Sequence, residues 1–170
     1  MVNINVGMGE IKLSKTPGTY LVAPGLGSCI GLIMYDPKIS LAGMVHVVLP
    51  DSSATTKEIY SQGKYADLAI PELLKRMINE GANKNNLVVT MAGGAQMFTL
   101  EKGSNVLNIG MRNAVAVKAA LNKEGLKISA SDTGGNKGRT LKIEVSTGIV
   151  YVKSIGQAEV ILGGNKCLKS

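Results

Sequence analysis

The sequence has few of the residues that metal and nucleic-acid sites use. Its 170 residues include one histidine, two cysteines, one phenylalanine and no tryptophan. A single histidine without a CxxC pair nearly excludes a Cys/His metal site. So few aromatic side chains would supply base stacking poorly. No apolar run reaches the ~18 residues of a membrane span, and no basic segment precedes an apolar run at the N-terminus. We expect a cytoplasmic protein without membrane insertion.

The composition is that of one globular domain. Apolar residues make up 45% and charged residues 18%, which excludes a disordered chain. We therefore expect a single domain over residues 1–170, with a short polar C-terminal tail. Nineteen basic and twelve acidic residues give a net charge of +7, which favours an anionic partner such as an acidic protein, a nucleic acid or a membrane surface. Because the basic residues are scattered singly, a nucleic-acid partner is not expected.

Apolar periodicity and turn residues predict strands on both sides of two helices. The helices are expected at about Lys64–Asn79 and Met111–Lys123, each followed by a glycine. This order predicts a layered α/β sandwich with a mixed, largely antiparallel sheet. The expected strands are Asn3–Val6, Glu10–Ser14, Tyr20–Ala23, Ile30–Tyr35, Leu41–Leu49, Leu87–Met91, Leu126–Ala130, Thr140–Val145 and Ile149–Ser154.

A cysteine follows two glycines at the mouth of a predicted strand. In the segment Pro24–Ile30, the glycines allow backbone N–H groups near Cys29 to point into open space, as an oxyanion hole requires. The alternative is that Cys29 is a small buried hydrophobic residue, the commonest fate of a free cysteine. Cys167, in the polar tail, has no second histidine to activate it and is expected to be inert.

The single histidine lies in the next predicted strand, where it is either a core residue or a partner of the cysteine. If Tyr35 pairs with Ser40 in an antiparallel hairpin, the same register places His46 directly opposite Cys29. Directly opposed Cβ atoms lie about 4.5–5.5 Å apart, close enough for the imidazole to share the thiol proton. An imidazolium at that distance would lower the thiol pKa and give a thiolate at neutral pH. A one-residue bulge would separate the pair onto opposite faces.

Six motifs occur in order between about Val6 and Lys153. They are Gly25–Cys29, Ala42–Ser52, Lys64–Asp67, Ala92–Phe98, Asn108–Asn113 and Asp132–Gly135. Together they resemble the CheD family, the chemoreceptor glutamine deamidases. The resemblance implies a cysteine-hydrolase fold akin to that of deamidating bacterial toxins. It also implies a catalytic site whose nucleophile matches Cys29 and whose histidine matches His46.

One position departs from the family pattern. The family's third site residue, a threonine six positions before the cysteine, corresponds here to Ala23, which has no hydroxyl. Either the Ala23 carbonyl orients His46, or a polar side chain such as Ser28 or Gln96 does so, or catalysis is weakened. The Cys29–His46 pair is unaffected by this change.

The resemblance implies deamidation through a cysteine thioester. Cys29 would attack a glutamine side-chain amide, backbone N–H groups around Gly27–Cys29 would hold the oxyanion, and His46 would protonate the departing ammonia. Glutamyl methyl esters could be hydrolysed in the same way. The implied partners are the cytoplasmic helices of methyl-accepting chemoreceptors, whose acidic methylation region suits a basic protein, and a CheC-type phosphatase. No metal or organic cofactor is expected. The alternatives are a non-catalytic regulator of that phosphatase and, less favoured, a nucleic-acid binder.

Overall fold

The structure is a computed structural model that describes residues 1–53, 55–97 and 108–164. Within these residues it contains two α-helices and ten strands. The helices are α1 (Ala66–Asn79) and α2 (Ile109–Lys123), and a 3-10 turn spans Lys84–Asn86. The strands are β1 (Val2–Asn5), β2 (Ile11–Ser14), β3 (Thr19–Leu26), β4 (Ile30–Asp36), β5 (Leu41–Val47), β6 (Val88–Gly93), β7 (Ile128–Thr133), β8 (Arg139–Glu144), β9 (Val150–Ser154) and β10 (Val160–Gly163).

The strands form two mixed sheets of five strands each. Sheet A has the order β1-β3-β8-β9-β10, and sheet B has the order β2-β5-β4-β6-β7. One pair in each sheet is parallel, β1 with β3 and β6 with β7, and the other pairs are antiparallel. The predicted α/β sandwich with largely antiparallel pairing is confirmed. It contains two sheets where the sequence analysis expected one, and the edge strand β10 was not predicted.

Two apolar cores lie on opposite faces of sheet B. One core packs against the helices and includes Leu32, Val45 and Leu73. The other, which we call the inter-sheet core, packs sheet B against sheet A and includes Ile33, Met44 and Ile143. Every residue of β4 and β5 is buried because both strands are covered on both faces. Alternation along these strands directs Gly31 and His46 toward the inter-sheet side.

The helices begin and end close to the predicted positions. α1 begins two residues later than expected, at Ala66, and α2 begins two residues earlier, at Ile109. The Asn108 side chain caps α2 by accepting a hydrogen bond from the Met111 N–H at 2.9 Å. This start places Asn113 in the second turn of α2, on the face that packs against sheet B.

Candidate active site

The register of the β4–β5 hairpin differs from the prediction by two residues. His46 pairs with Gly31 instead of Cys29, and the ladder extends to a pair between Asp36 and Leu41. The strand continues through Asp36 because its carboxylate holds the turn by accepting the N–H groups of Lys38 at 3.0 Å and Asn83 at 2.9 Å. The turn then needs four residues, of which Ser40 has a positive φ of 49°. The prediction that His46 lies directly opposite Cys29 is therefore wrong.

A shift of two residues keeps His46 on the side of the sheet where it was expected. Side chains alternate with a period of two, so only an odd shift would exchange the faces. Cys29 lies in a bend one residue before β4 and belongs to the inter-sheet core, the side toward which His46 also points. On a continued ladder the two residues would be diagonal neighbours, typically about 7–8 Å apart. The thiol and the imidazole therefore share one end of the same sheet face.

His46 is held by an N-terminal segment, residues 6–10. Its Nδ1 lies 3.0 Å from the Val6 carbonyl oxygen. A carbonyl can only accept, so Nδ1 carries the proton and the neutral ring has its lone pair on Nε2. The backbone of His46 is fixed by the same segment, since its N–H donates to the Glu10 carbonyl and its C=O accepts from the Gly9 N–H. Nε2 is buried and has no hydrogen-bond partner among the described residues.

Burial makes both groups neutral at neutral pH. Desolvation raises the pKa of the Cys29 thiol above its ordinary value. Desolvation also lowers the pKa of His46, against smaller upward contributions from the Val6 hydrogen bond and the Glu10 charge. These directions contradict the predicted thiolate–imidazolium pair. They describe a neutral thiol and, on the same sheet face, a neutral imidazole whose Nε2 can accept a proton.

The carbonyl groups around the cysteine are anchored on one side. Those of Gly27 and Cys29 accept the N–H groups of Ala95 and Gly94, each at 2.9 Å. That of Ser28 accepts the side-chain amide of Asn113, also at 2.9 Å. The backbone of residues 27–29 is thus held through its carbonyl groups, and the oxyanion role expected for its N–H groups stays a prediction.

Glycine is required where β6 meets this segment. Gly93 has a φ of +117°, and a Cβ at this position would lie 2.1 Å from the Cys29 carbonyl oxygen. Gly110, at the start of α2, is close to the residues that follow β6, since its Cβ would lie 2.5 Å from the carbonyl oxygens of Gly94 and Ala95. Neither Gly93 nor Gly110 therefore leaves room for a side chain at its position.

None of the three proposed substitutes for the missing threonine is the residue that orients His46. Ala23 is fully buried and lies 3.5 Å from the Cβ position of Gly31. Ser28 contributes its carbonyl to Asn113, and the Gln96 N–H donates to the Gly135 carbonyl at 2.9 Å. The Val6 carbonyl accepts from the imidazole instead. No sequence pattern could have identified it, because any residue type supplies a carbonyl.

A cleft lies beside the cysteine segment on the sheet A side. Its volume is about 350 Å³, and its lining includes Gly27, Met97, Arg139 and Lys153. The Met97 sulfur lies 2.8 Å from the Cβ position of Gly27, so a side chain there would displace it. Phe98 and Cys167, which the sequence analysis also considered, lie outside the described residues.

The described ranges contain neither a cluster of metal-ligating side chains nor a helix that could span a membrane. Within residues 1–53, 55–97 and 108–164, no three His, Cys, Asp or Glu side chains cluster in a way that could hold a metal ion. In the same ranges, neither helix is long and apolar enough to cross a membrane.

The fold and the site define an α/β protein with a thiol and an imidazole at the edge of its inter-sheet core. Residues 48–154 match the family model described as CheD chemotactic sensory transduction. A protein of Caldanaerobacter subterraneus subsp. tengcongensis named "Probable chemoreceptor glutamine deamidase CheD" is 44% identical over 153 residues, covering 90% of this chain and 93% of that protein. A protein of the same name from Symbiobacterium thermophilum is 43% identical, covering 91% and 93%. The chain belongs to the CheD family.

The two kinds of match cover the candidate site differently. The family model begins at residue 48, after both Cys29 and His46. The match to the Caldanaerobacter protein spans 90% of this chain and so includes both residues. Among solved structures, the hypothetical protein YfiH of Bacillus licheniformis has a TM-score of 0.43 and 13% identity, covering 74% of this chain and 49% of that one. That similarity is too low to carry an argument.

Proposed function

We propose that this protein deamidates glutamine side chains of chemoreceptors, with Cys29 as the nucleophile and His46 as the proton carrier. Family membership and the names of the relatives support the reaction. The observation that carries the residue assignment is the hydrogen bond from His46 Nδ1 to the Val6 carbonyl. It leaves the basic nitrogen, Nε2, free on the sheet face that Cys29 shares.

The first half of the reaction forms a thioester. Nε2 of His46 takes the thiol proton while the Cys29 sulfur bonds to the side-chain carbonyl carbon of the substrate glutamine. The N–H groups of Ser28 and Cys29 stabilise the negative charge on the carbonyl oxygen. The carbon–nitrogen bond then breaks, the imidazolium gives its proton to the departing nitrogen, and ammonia leaves. Because burial raises the pKa of the Cys29 thiol, His46 removes its proton before or during the attack.

The second half of the reaction consumes water. Nε2 takes a proton from a water molecule as its oxygen bonds to the thioester carbon, and the same backbone donors hold the second oxyanion. The carbon–sulfur bond breaks, and the proton on His46 returns to the sulfur. Glutamine and water have then become glutamic acid and ammonia. A glutamyl methyl ester would follow the same two steps with methanol as the leaving group.

The assignment is tested on a purified chemoreceptor cytoplasmic fragment. Mass spectrometry of the fragment would follow the conversion of glutamine to glutamate, and a coupled assay would follow ammonia. We expect conversion by the wild type and by Cys167→Ser, and none by Cys29→Ala. His46→Gln should lose at least about 100-fold in kcat, the scale of general acid–base catalysis. Conversion by Cys29→Ala at the wild-type rate would overturn the nucleophile assignment.

A second candidate function is regulation of a CheC-type phosphatase without turnover. The alanine at position 23, where the family pattern has a hydroxyl, favours it. It predicts that wild type and Cys29→Ala bind the phosphatase with equal affinity and change its rate equally, while neither converts receptor glutamine. Receptor conversion by the wild type alone would reject this candidate as the sole function.

A further inference from the structure

A fully buried amide on α2 joins the two strand ends that carry the candidate site. Asn113 is 0% exposed and lies between the start of β4 and the end of β5. Its Nδ2 donates to the Ser28 carbonyl and to the Val48 carbonyl, both at 2.9 Å. Ser28 directly precedes Cys29, and Val48 lies two residues after His46. One NH₂ group therefore contacts both sides of the site.

The strands separate where this amide lies. The last pair of the β4–β5 ladder is Ile30 with Val47. Beyond it, the N–H groups of Val48 and Leu49 turn away and donate to the Lys64 carbonyl. Among the described residues, Asn113 provides the hydrogen-bonded connection between the cysteine segment and the chain after His46. Its two bonds replace the ladder at the point where ladder pairing ends.

We propose that Asn113 is a positioning residue that sets the separation of the Cys29 thiol from the His46 imidazole. It touches neither reacting group. It acts through the Ser28 carbonyl on one side and the Val48 carbonyl on the other. The catalytic consequence rests on the proposed function, but the coupling of thiol to imidazole can be measured without a substrate.

A purely space-filling role does not account for this residue. Asn113 Oδ1 is buried and has no partner among the described residues. An unsatisfied buried oxygen is destabilising, and an apolar side chain of similar volume would avoid it. Both contacted groups are carbonyl oxygens, so the site specifically requires two donors in a fixed geometry.

The test compares two substitutions with a matched control. Asn113→Leu keeps the branching at Cγ and removes both donors, whereas Asn113→Gln keeps the NH₂ group. Ser14→Ala removes hydrogen bonds elsewhere in the fold, the 3.1 Å contact to the Thr19 hydroxyl in β3 and the 3.1 Å bond from the Thr16 N–H. We expect Asn113→Leu to lose about 10- to 100-fold in kcat, since misplacement by about 1 Å has that effect, with KM changed less than about twofold. Asn113→Gln should recover part of this loss, and Ser14→Ala should keep wild-type kcat.

A second readout needs no receptor. In a Cys167→Ser background, the rate of Cys29 alkylation by iodoacetamide is measured against pH, with and without His46→Gln. His46→Gln should change the wild-type pH profile but leave that of Asn113→Leu unchanged, because the imidazole no longer reaches the thiol. If Asn113→Leu does not fold, Asn113→Ser carries the same expectation.

The outcomes separate this inference from the proposed function. Absence of glutamine conversion by the wild type would reject the deamidase assignment, while the alkylation experiment would still decide the role of Asn113. Wild-type kcat in folded Asn113→Leu would overturn the inference. The inference would also be overturned if His46→Gln changed the pH profile of Cys29 alkylation equally in the wild type and in Asn113→Leu.

Discussion

Replacing Gly93 with alanine should damage the site and the fold together. The added Cβ would lie 2.1 Å from the Cys29 carbonyl oxygen and 3.2 Å from its carbonyl carbon. To reach an ordinary contact distance, the cysteine backbone must move by about 1 Å or more. That movement would break the 2.9 Å hydrogen bond from the Gly94 N–H to the same oxygen.

The expected loss of stability follows from separate contributions. An L-residue at positive φ costs about 1–2 kcal/mol, and forcing a packed backbone apart costs about 1–3 kcal/mol more. We therefore expect Gly93→Ala to lose about 2–5 kcal/mol of unfolding free energy. Gly125→Ala is the matched control, because Gly125 has a φ of +71° and nothing within 4 Å of its Cβ position. It should lose about 1–2 kcal/mol, the conformational part alone.

Chemical denaturation and Cys29 alkylation would measure the two effects. Folded Gly93→Ala should show an altered alkylation rate and a loss of about 100-fold in glutamine conversion, since both depend on the position of the cysteine backbone. Gly125→Ala should keep wild-type values for both. If the two variants lose equal stability and alkylate at the wild-type rate, the close contact between β6 and the cysteine segment has been misread.

Three further outcomes follow from burial and from the residue at position 23. The pKa of His46 is lowered in the folded state, so below about pH 6.5 the unfolded chain binds more protons than the folded protein. The free energy of unfolding should therefore fall, as the pH is lowered, by up to about 1.4 kcal/mol per pH unit. If the free energies of unfolding of the wild type and of His46→Gln decrease equally as the pH is lowered, this expectation is wrong. Because burial raises the pKa of Cys29, the midpoint of its alkylation against pH should lie above that of a free cysteine, whereas a midpoint below it would indicate an ion pair. Ala23→Thr should lower the free energy of unfolding by about 1–3 kcal/mol through overpacking. Its kcat should not rise, because the Val6 carbonyl already orients the imidazole. A severalfold gain in kcat would refute that assignment.

Much of the fold could be predicted because its signals are local. The apolar runs of β4 and β5 and the glycines that follow the helices placed these elements to within about two residues. The division into two sheets could not be predicted, since pairings such as β3 with β8 join segments more than a hundred residues apart in sequence. The edge strand β10 was missed because its apolar run, Val160–Leu162, is only three residues long and does not alternate with polar residues.

The geometry of the candidate site could not be predicted from the sequence, and the catalytic roles of Cys29 and His46 stay predictions. The hairpin was assigned a turn that begins at Asp36, because Asp-Pro is typical of turns, whereas the Asp36 carboxylate supports from within the strand a turn of the same length that begins one residue later. Cys29 and His46 still lie on the same face because the error was an even number of residues. The Val6 carbonyl and the Asn113 amide were not assigned roles, since each acts through backbone groups brought together only by the folded chain.

Val6 belongs to both halves of the sandwich at once. Its N–H donates to the Val22 carbonyl in β3 at 2.7 Å, and its own carbonyl receives the imidazole of His46 in β5. Any sliding of one sheet over the other would therefore tilt the imidazole before it disrupted either ladder. Turnover should accordingly be the most sensitive measure of how tightly the two layers are packed, failing under mild heat or denaturant while the circular dichroism of the protein is still native.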